Sequence, residues 1–299
     1  MNRSRRSVLV LPGSSRRMAE KAASSAAAEV ILDLEDAVPG LAAEKEQARG
    51  VLVQTLRELD FGTRTVAVRI NRIGGSEAIR DLLALVPTVA DRFSCLVIPK
   101  VTSVGEVTFI DQLLSGIEQT GSGRPGLGLE LQIEDPQGLE SVGEIARASA
   151  RTEALIFGPG DFAAAMGMPQ LTIGPEPAQY PGDIWHYPLF RIAIAARACG
   201  LQAIDGPCSA IADQALLERS AQRAVQLGYD GKWAIHPSQL DVLNRAFTPD
   251  LDQIQRAEQI LASLEARGGA SRVGTEMVDE AHGRMARQIL ARAGRESLP

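Results

Sequence analysis

Short apolar runs alternate with longer amphipathic stretches along most of the chain. The runs Ser7–Pro12, Val30–Asp36, Thr65–Asn71, Cys95–Lys100, Leu129–Asp135, Ala154–Asp161, Gln202–Pro207 and Lys232–Pro237 each read as a strand. Between them, helical periodicity marks Met18–Ala27, Glu44–Leu59, Val104–Ile117, Leu139–Ala148, Pro188–Cys199 and Ile211–Leu227. Strand-then-helix alternation predicts an α/β fold with a parallel sheet. Eight strands with apolar bodies favour a closed (β/α)8 TIM barrel over an open doubly wound sheet. Two segments exceed a minimal barrel. Residues 167–184 form a Pro/Gly-rich insert after the sixth strand, and a structureless loop of that length is uncommon unless it serves a function such as covering a site. Beyond the eighth strand, Asp250–Arg267 and Asp279–Ala293 read as helices separated by the glycine-rich stretch Gly268–Gly274. A flexible hinge followed by a helix has the form of a lid, and also of a frayed C-terminus. The expected division is a barrel over 1–247 and a C-terminal helical lid extension over 248–299.

Composition narrows the class without changing this picture. With 299 residues, 45% of them hydrophobic and 23% charged, the chain is an ordinary globular protein rather than a disordered or collagenous one. A formal net charge of −6 argues against a nucleic-acid binder. Arg3, Arg5, Arg6, Arg16, Arg17 and Lys21 nevertheless crowd the N-terminus, as a local anion site or as a solvated surface. The apolar stretch from Val8 to Leu11 is too short for a signal-peptide core, no export signal is read, and nothing approaches a membrane span. Cys95, Cys199 and Cys208 are odd in number and widely separated, which fits neither a disulfide framework nor a thiolate metal site. A reducing cytoplasm is the expected compartment.

Polar groups collect where the strands end: Asp33, Glu35 and Asp36, then Arg69 and Asn71, Lys100, Glu134, Asp161, Asp205 and His236. In this fold active sites form at the C-terminal rim, where strand ends converge. Asp33, Glu35, Lys100 and Asp205 read first as hydrogen-bonded or ion-paired rim residues. Glu134 and Asp161 differ, because each closes an apolar run and the two runs are consecutive. Parallel neighbours bring both carboxylates to one rim, and Mg²⁺ takes one or two protein carboxylates while keeping positions open for substrate. Asp135 competes for the ligand role, but strand alternation points it away from Glu134. His186 and His236 have no second histidine at ligand spacing and read as positioning or hydrogen-bonding groups, and Cys208 as a bystander thiol.

Several segments stand out together: Val10-Leu11-Pro12-Gly13-Ser14, Leu32-Asp33-Leu34-Glu35-Asp36-Ala37-Val38, Val68-Arg69-Ile70-Asn71, Ile98-Pro99-Lys100 and Gly158-Pro159-Gly160-Asp161. Further along come Asp183-Ile184-Trp185-His186-Tyr187, Ile204-Asp205-Gly206-Pro207 and the run from Gly231 to Gln239. With these segments the chain resembles the citrate lyase β-subunit-like (HpcH/HpaI aldolase/citrate lyase) superfamily of barrel lyases, and within it the malyl-CoA lyases. So many matches in order, from about residue 5 to the C-terminus, are improbable by chance.

The resemblance implies a Mg²⁺-dependent, reversible Claisen-type cleavage of a 3-hydroxyacyl-CoA to an acyl-CoA and a 2-oxo acid, with Mn²⁺ as an alternative cation. Malyl-CoA, β-methylmalyl-CoA and citramalyl-CoA are the candidate substrates. By the family's pattern Glu134 and Asp161 hold the metal, Arg69 meets substrate, and Asp279 exchanges the α-proton of the thioester. An aspartate opening a helix is also an N-cap; the preceding hinge favours catalysis here. Coenzyme A is expected against Arg16 and Lys21, with Gly160, Ile235 and His236 lining the substrate side and Asp33, Glu35, Asp36 and Lys100 supporting it. A homo-oligomer, trimer or hexamer, is implied, its lid reaching a neighbouring subunit. The alternatives are a citryl-thioester lyase subunit with an acyl-carrier partner, a malyl-CoA thioesterase, and a CoA-thioester-binding homologue of low turnover. Two positions depart from the family's pattern: Ser15 then Arg16 where arginine then proline is usual, and Asp135 where threonine is usual.

Overall fold

A computed structural model describes residues 3–120, 126–169, 171–174, 180–267 and 269–294. The elements run β1 (Ser7–Pro12), α1 (Arg16–Ala23), β2 (Glu29–Asp33), α2 (Ala42–Glu58), β3 (Thr65–Arg69), α3 (Ser76–Val89), β4 (Cys95–Ile98) and α4 (Val104–Gln119). Then follow β5 (Gly128–Ile133), α5 (Pro136–Glu140), α6 (Val142–Ile145), β6 (Thr152–Phe157), α7 (Pro159–Ala165), α8 (His186–Ala198), β7 (Gln202–Asp205), α9 (Gln214–Gln226), β8 (Gly231–Ala234) and α10 (Leu240–Ala246). Strands β1 to β8 pair in sequence order, all parallel, and β8 closes onto β1. The chain is the expected (β/α)8 barrel. No helix among the described residues is long and apolar enough to cross a membrane.

Several boundaries differ from the sequence expectation, each for a local reason. The strand runs stop short because the chain turns where polar groups begin: after Asp33 its own carboxylate accepts the N–H groups of Glu35 and Ala37 at 2.8 and 3.0 Å. Gly158 and Pro159 end β6, and Pro159 opens α7, so Asp161 lies in the first turn of a short helix rather than on a strand. The helix expected over 139–148 is two short helices interrupted at Ser141. Helix α3 was not anticipated, although its buried Ala78, Leu82, Leu85, Val86 and Val89 carry a helical period; Pro87 in its final turns obscured it.

Period-two alternation layers the barrel. On β2 the inward positions are Glu29, Ile31 and Asp33; on β5 they are Glu130 and Gln132, with Glu134 following in phase just past the strand's end. The middle layer is apolar, built from Val8, Ile31, Ala67, Val97, Ala154, Ile156, Ile204 and Trp233. Above it lies the site described below, and beneath it a buried ionic floor. The N-terminal basic cluster is therefore not one surface patch, for Arg5 is enclosed among Glu130 at 2.8 Å, Glu153 at 2.8 Å and Glu29 at 3.4 Å.

Complete burial, with Glu130 beside it, pushes the Glu29 carboxyl well above the ordinary range, against the pull of Arg5. A raised folded-state pKa means stability that is full below the unfolded value of about 4.3 and is lost as pH rises through the folded one. Glu29→Gln mimics the protonated acid. Its melting temperature should match the parent's in acid and exceed it by a margin that widens with pH; a constant margin would show that Glu29 titrates normally.

The chain divides into two compact units, one ending at Asn244 and one beginning at Arg245. The second contains α11 (Leu251–Arg267), β9 (Ser271–Val273), β10 (Glu276–Val278) and α12 (Glu280–Arg292). Ile254 and Ala257 of α11 pack on Ala286 and Leu290 of α12, and a Cβ on Gly283 would come 2.9 Å from Leu264, so glycine permits the close approach. The stretch expected as a flexible hinge is for the most part an antiparallel hairpin, β9 against β10 turning at Gly274 (φ 65°); Gly268 lies outside the described residues.

Candidate active site

The strand ends and the loops after them bring eight polar residues to the C-terminal mouth of the barrel. Asp33 ends β2 and Arg69 ends β3, one register step across the sheet. The pair is bidentate: Arg69 Nε and Nη2 donate to the two Asp33 carboxylate oxygens, each at 2.7 Å. Arg69 Nη1 lies 3.2 Å from Glu35 and donates to Gln132 Oε1 at 3.4 Å, and the guanidinium stands 5.4 Å above the Trp233 ring. One face of the fork is thus covered and most of its edge is engaged, and Arg69 is buried. Burial opposes its charge, but Asp33, Glu35 and Glu134 outweigh that and raise its pKa, so it stays cationic.

Glu134, directly after β5, accepts from the Lys100 backbone N–H at 2.8 Å and from Gln132 Nε2 at 2.6 Å. Gly158 supplies the room, since any Cβ there would overlap the Glu134 side chain. Burial, and then the negative charge of Asp161, push the Glu134 pKa up to about 8. Asp161 is partly exposed, 3.6 Å from the Lys100 ammonium, which also reaches Glu35 at 2.6 Å and Asp36 at 3.1 Å. These side chains border a cleft of about 430 Å³ whose wall includes Asp33, Asp36, Arg69, Gln132, Glu134 and Asp161. Its apolar side is Pro12, Pro207, Trp233 and Ile235.

Two carboxylates in mutual repulsion, one of them buried and driven toward protonation, are short of positive charge. A divalent cation would supply it, and all-oxygen donors suit Mg²⁺. Among the described residues no group of three or more His, Cys, Asp or Glu side chains is arranged to hold a metal. Two protein carboxylates would be a small share of a coordination shell, which is the habit of Mg²⁺ rather than of structural Zn²⁺.

The other expected residues divide. Asp33, Glu35, Asp36, Lys100, Gly160 and Ile235 gather at the mouth. His236 instead caps a 3₁₀ turn, its Nδ1 accepting from the Ser238 N–H at 3.2 Å, and it is absent from the cleft wall. Arg16 opens α1 and is tied to Glu20 at 3.1 Å and to Glu58, while Lys21 is exposed in the last turn of α1. Asp205 is ion-paired with buried Lys232. Asp135 caps α5 by accepting from the Gln137 N–H at 2.8 Å, a task that threonine also performs, so this departure leaves the carboxylate site alone. Asp279, in the second unit, caps α12: its Oδ1 accepts from the Ala281 and His282 N–H groups at 3.0 and 3.3 Å and meets His282 Nδ1 at 2.8 Å. Those bonds, the one from the His282 side chain foremost, hold its pKa below the usual range.

Gln132 and Trp233 were not anticipated. Counting back by two from Glu134 would have found Gln132. Trp233 carries only the signal of an aromatic in a short strand. Of the insert after β6, residues 170 and 175–179 lie outside the described residues. Ile173 exchanges backbone contacts with Ser209, donating to its Oγ at 3.0 Å and accepting from its N–H at 2.9 Å, so this part of the insert is pinned to the loop after β7.

Known proteins carry the same arrangement of sequence. The chain is 36% identical over 295 residues to an L-malyl-CoA/β-methylmalyl-CoA lyase of Cereibacter sphaeroides, covering 94% of this chain and 92% of that protein. It is 33% identical over 294 residues to a (3S)-malyl-CoA thioesterase of the same species, covering 96% and 94%. Among solved structures, the protein CitE of Mycobacterium tuberculosis in complex with magnesium, acetoacetate and coenzyme A superposes with a TM-score of 0.79 at 30% identity, covering 96% of this chain and 97% of that one. The family model described as HpcH/HpaI aldolase/citrate lyase matches residues 6–237, which span the strands of the barrel from β1 to β8, and the chain belongs to that family.

Proposed function

We propose that this protein is a Mg²⁺-dependent carbon–carbon lyase that cleaves a 3-hydroxyacyl-CoA of the malyl-CoA class to an acyl-CoA and a 2-oxo acid. The observation that carries the reading is the meeting, in one cleft, of the Glu134–Asp161 carboxylates with a buried Arg69 locked by Asp33. Glu134 and Asp161 would hold the cation, which supplies Lewis-acid polarisation of the hydroxyl that becomes the 2-oxo carbonyl. Arg69 contributes a fixed positive charge: its bonds to Asp33 and Gln132 leave one Nη2 hydrogen for a substrate oxygen, either a carboxylate or the enolate that develops at the thioester. Trp233, Ile235 and Pro207 offer an apolar wall that keeps water from the reacting carbon. Asp279 is assigned the proton exchange at that carbon; Oδ1 caps the helix, and among the described residues Oδ2 takes no hydrogen bond and is available for the task.

Coenzyme A is placed with its phosphates toward α1, where Lys21 is the exposed cation. The protein is assigned to the cytoplasm and to a homo-oligomer, trimer or hexamer, whose C-terminal unit serves a neighbour's cleft. Tyr187, Phe190 and Ile194, all exposed on α8 and spaced by three and four, support a subunit contact.

Purified protein with Mg²⁺ and a panel of malyl-, β-methylmalyl-, citramalyl- and citryl-CoA tests the proposal by following both 2-oxo acid and free thiol. Lyase activity yields the 2-oxo acid without net thiol. Thiol without a CoA-ester product would favour the thioesterase, and no turnover at all a binding protein.

Arg69→Lys keeps the charge and loses the fork. Asp33, wholly buried, then forfeits one of two parallel bonds, and the substrate contact loses its fixed direction. Turnover per encounter should fall by roughly a hundredfold, with a lower melting temperature, about 2 kcal/mol being a fair cost for a weakened buried pair. Full activity in this variant would reduce Arg69 to a distant charge.

A further inference from the structure

Among the described residues, Lys100 is the sole non-glycine residue with a positive φ, 53°. The left-handed region costs a lysine on the order of 1 kcal/mol, and such strain persists where surrounding contacts impose it. Here the contacts are specific. The twist after β4 aims the Lys100 N–H at Glu134 Oε1, 2.8 Å away, and Val101 then donates to the Gln132 carbonyl at 3.2 Å. The same residue sends its ammonium across the mouth to Glu35 at 2.6 Å, Asp36 at 3.1 Å and Asp161 at 3.6 Å. One residue therefore touches acids from the loops after β2, β5 and β6, and it touches both carboxylates assigned to the cation, one by its backbone and one by its charge.

We propose that Lys100 is a positioning residue that acts as a resident counter-cation: it holds the acidic mouth in its cation-ready arrangement and, by its charge on Asp161, sets how tightly a divalent cation binds. The inference rests on the Mg²⁺-dependent reading above. The backbone and side chain have separable duties. The N–H fixes the rotamer of Glu134, whereas the ammonium offsets repulsion among Glu35, Asp36 and Asp161. Of its three ionic contacts the one to Asp161 is the longest, and Asp161 is partly exposed, so that contact yields most easily to an incoming cation. Glu35 is enclosed and bound at 2.6 Å, so the ammonium stays anchored.

Two substitutions remove the ammonium while keeping the backbone N–H, and they differ in the strain they leave. Lys100→Met keeps the length and the left-handed strain but removes the charge; Lys100→Gly removes the charge and the strain together, since glycine takes this φ freely. Both should bind Mg²⁺ more tightly than the parent by isothermal titration calorimetry at low salt, by roughly threefold to tenfold, with the gain shrinking as ionic strength rises. In thermal melts without metal, Lys100→Met should be less stable than the parent and should gain more than the parent on adding Mg²⁺. A purely structural lysine would leave affinity unchanged or weaken it, and that result in both variants would overturn the proposal while the function stood. Failure of the parent itself to bind Mg²⁺ would overturn the proposal and the reading beneath it together.

Discussion

Glu134→Ala should abolish Mg²⁺ binding and lower thioester cleavage by about three orders of magnitude while leaving the apo barrel at least as stable as the parent. A Lewis acid contributes several kcal/mol to such a reaction, and each 1.36 kcal/mol is tenfold in rate. The stability half of the expectation follows from the sign of the pKa shift. Burial and Asp161 raise the Glu134 carboxyl to about 8 in the folded chain, so at any pH above the unfolded value its ionisation costs stability. Removing it relieves that cost, and the bonds lost, from the Lys100 N–H and from Gln132, leave donors beside a solvent-reached cleft. Glu134→Gln is the companion variant, because it keeps the shape and the acceptor for Lys100 without the charge. Calorimetric titration with Mg²⁺, steady-state turnover and thermal melts check the three parts separately. Binding of Mg²⁺ within a few-fold of the parent by both variants would remove Glu134 from the cation site.

Asp279→Asn should retain Mg²⁺ and thioester binding yet lose exchange of the acyl α-proton, with turnover falling by roughly a hundredfold to ten-thousandfold. Asparagine is as good an N-cap as aspartate, so α12 keeps its start and the substitution isolates proton transfer from helix stability. The measurement is uptake of deuterium from solvent into the acyl-CoA product. If the C-terminal unit serves a neighbouring barrel, mixing inactive Asp279→Asn with inactive Glu134→Ala under conditions of subunit exchange should restore part of the activity, because some cleft then holds both intact residues. No recovery despite demonstrated exchange would assign the unit to its own barrel. Undiminished deuterium uptake by Asp279→Asn would leave Asp279 as a helix cap and nothing more.

Strand periodicity alone determined the barrel. Eight short apolar runs separated by helical stretches allow few parallel arrangements, and the closed one was legible because burial on both faces makes each run apolar regardless of context. The carboxylates Glu134 and Asp161 were legible for the same reason: polar groups that close apolar runs have to emerge at the rim. What the sequence could not express was pairing across the barrel. That Asp33 grips Arg69 depends on the register of two neighbouring strands, and that Gln132 bridges Arg69 to Glu134 and Trp233 lies under the guanidinium depends on which strands approach one another in the closed ring, a relation between residues up to 164 positions apart. The floor of Arg5, Glu29 and Glu130 was hidden likewise, since a basic cluster in sequence carries no mark of which member folds inward. Local turn chemistry decided the remainder. Asp161 moved from strand to helix because Pro159 cannot continue a ladder, the glycine-rich hinge became a hairpin because β9 found a partner in β10, and Lys100 took a left-handed twist because only tertiary contacts to four acids offset its cost.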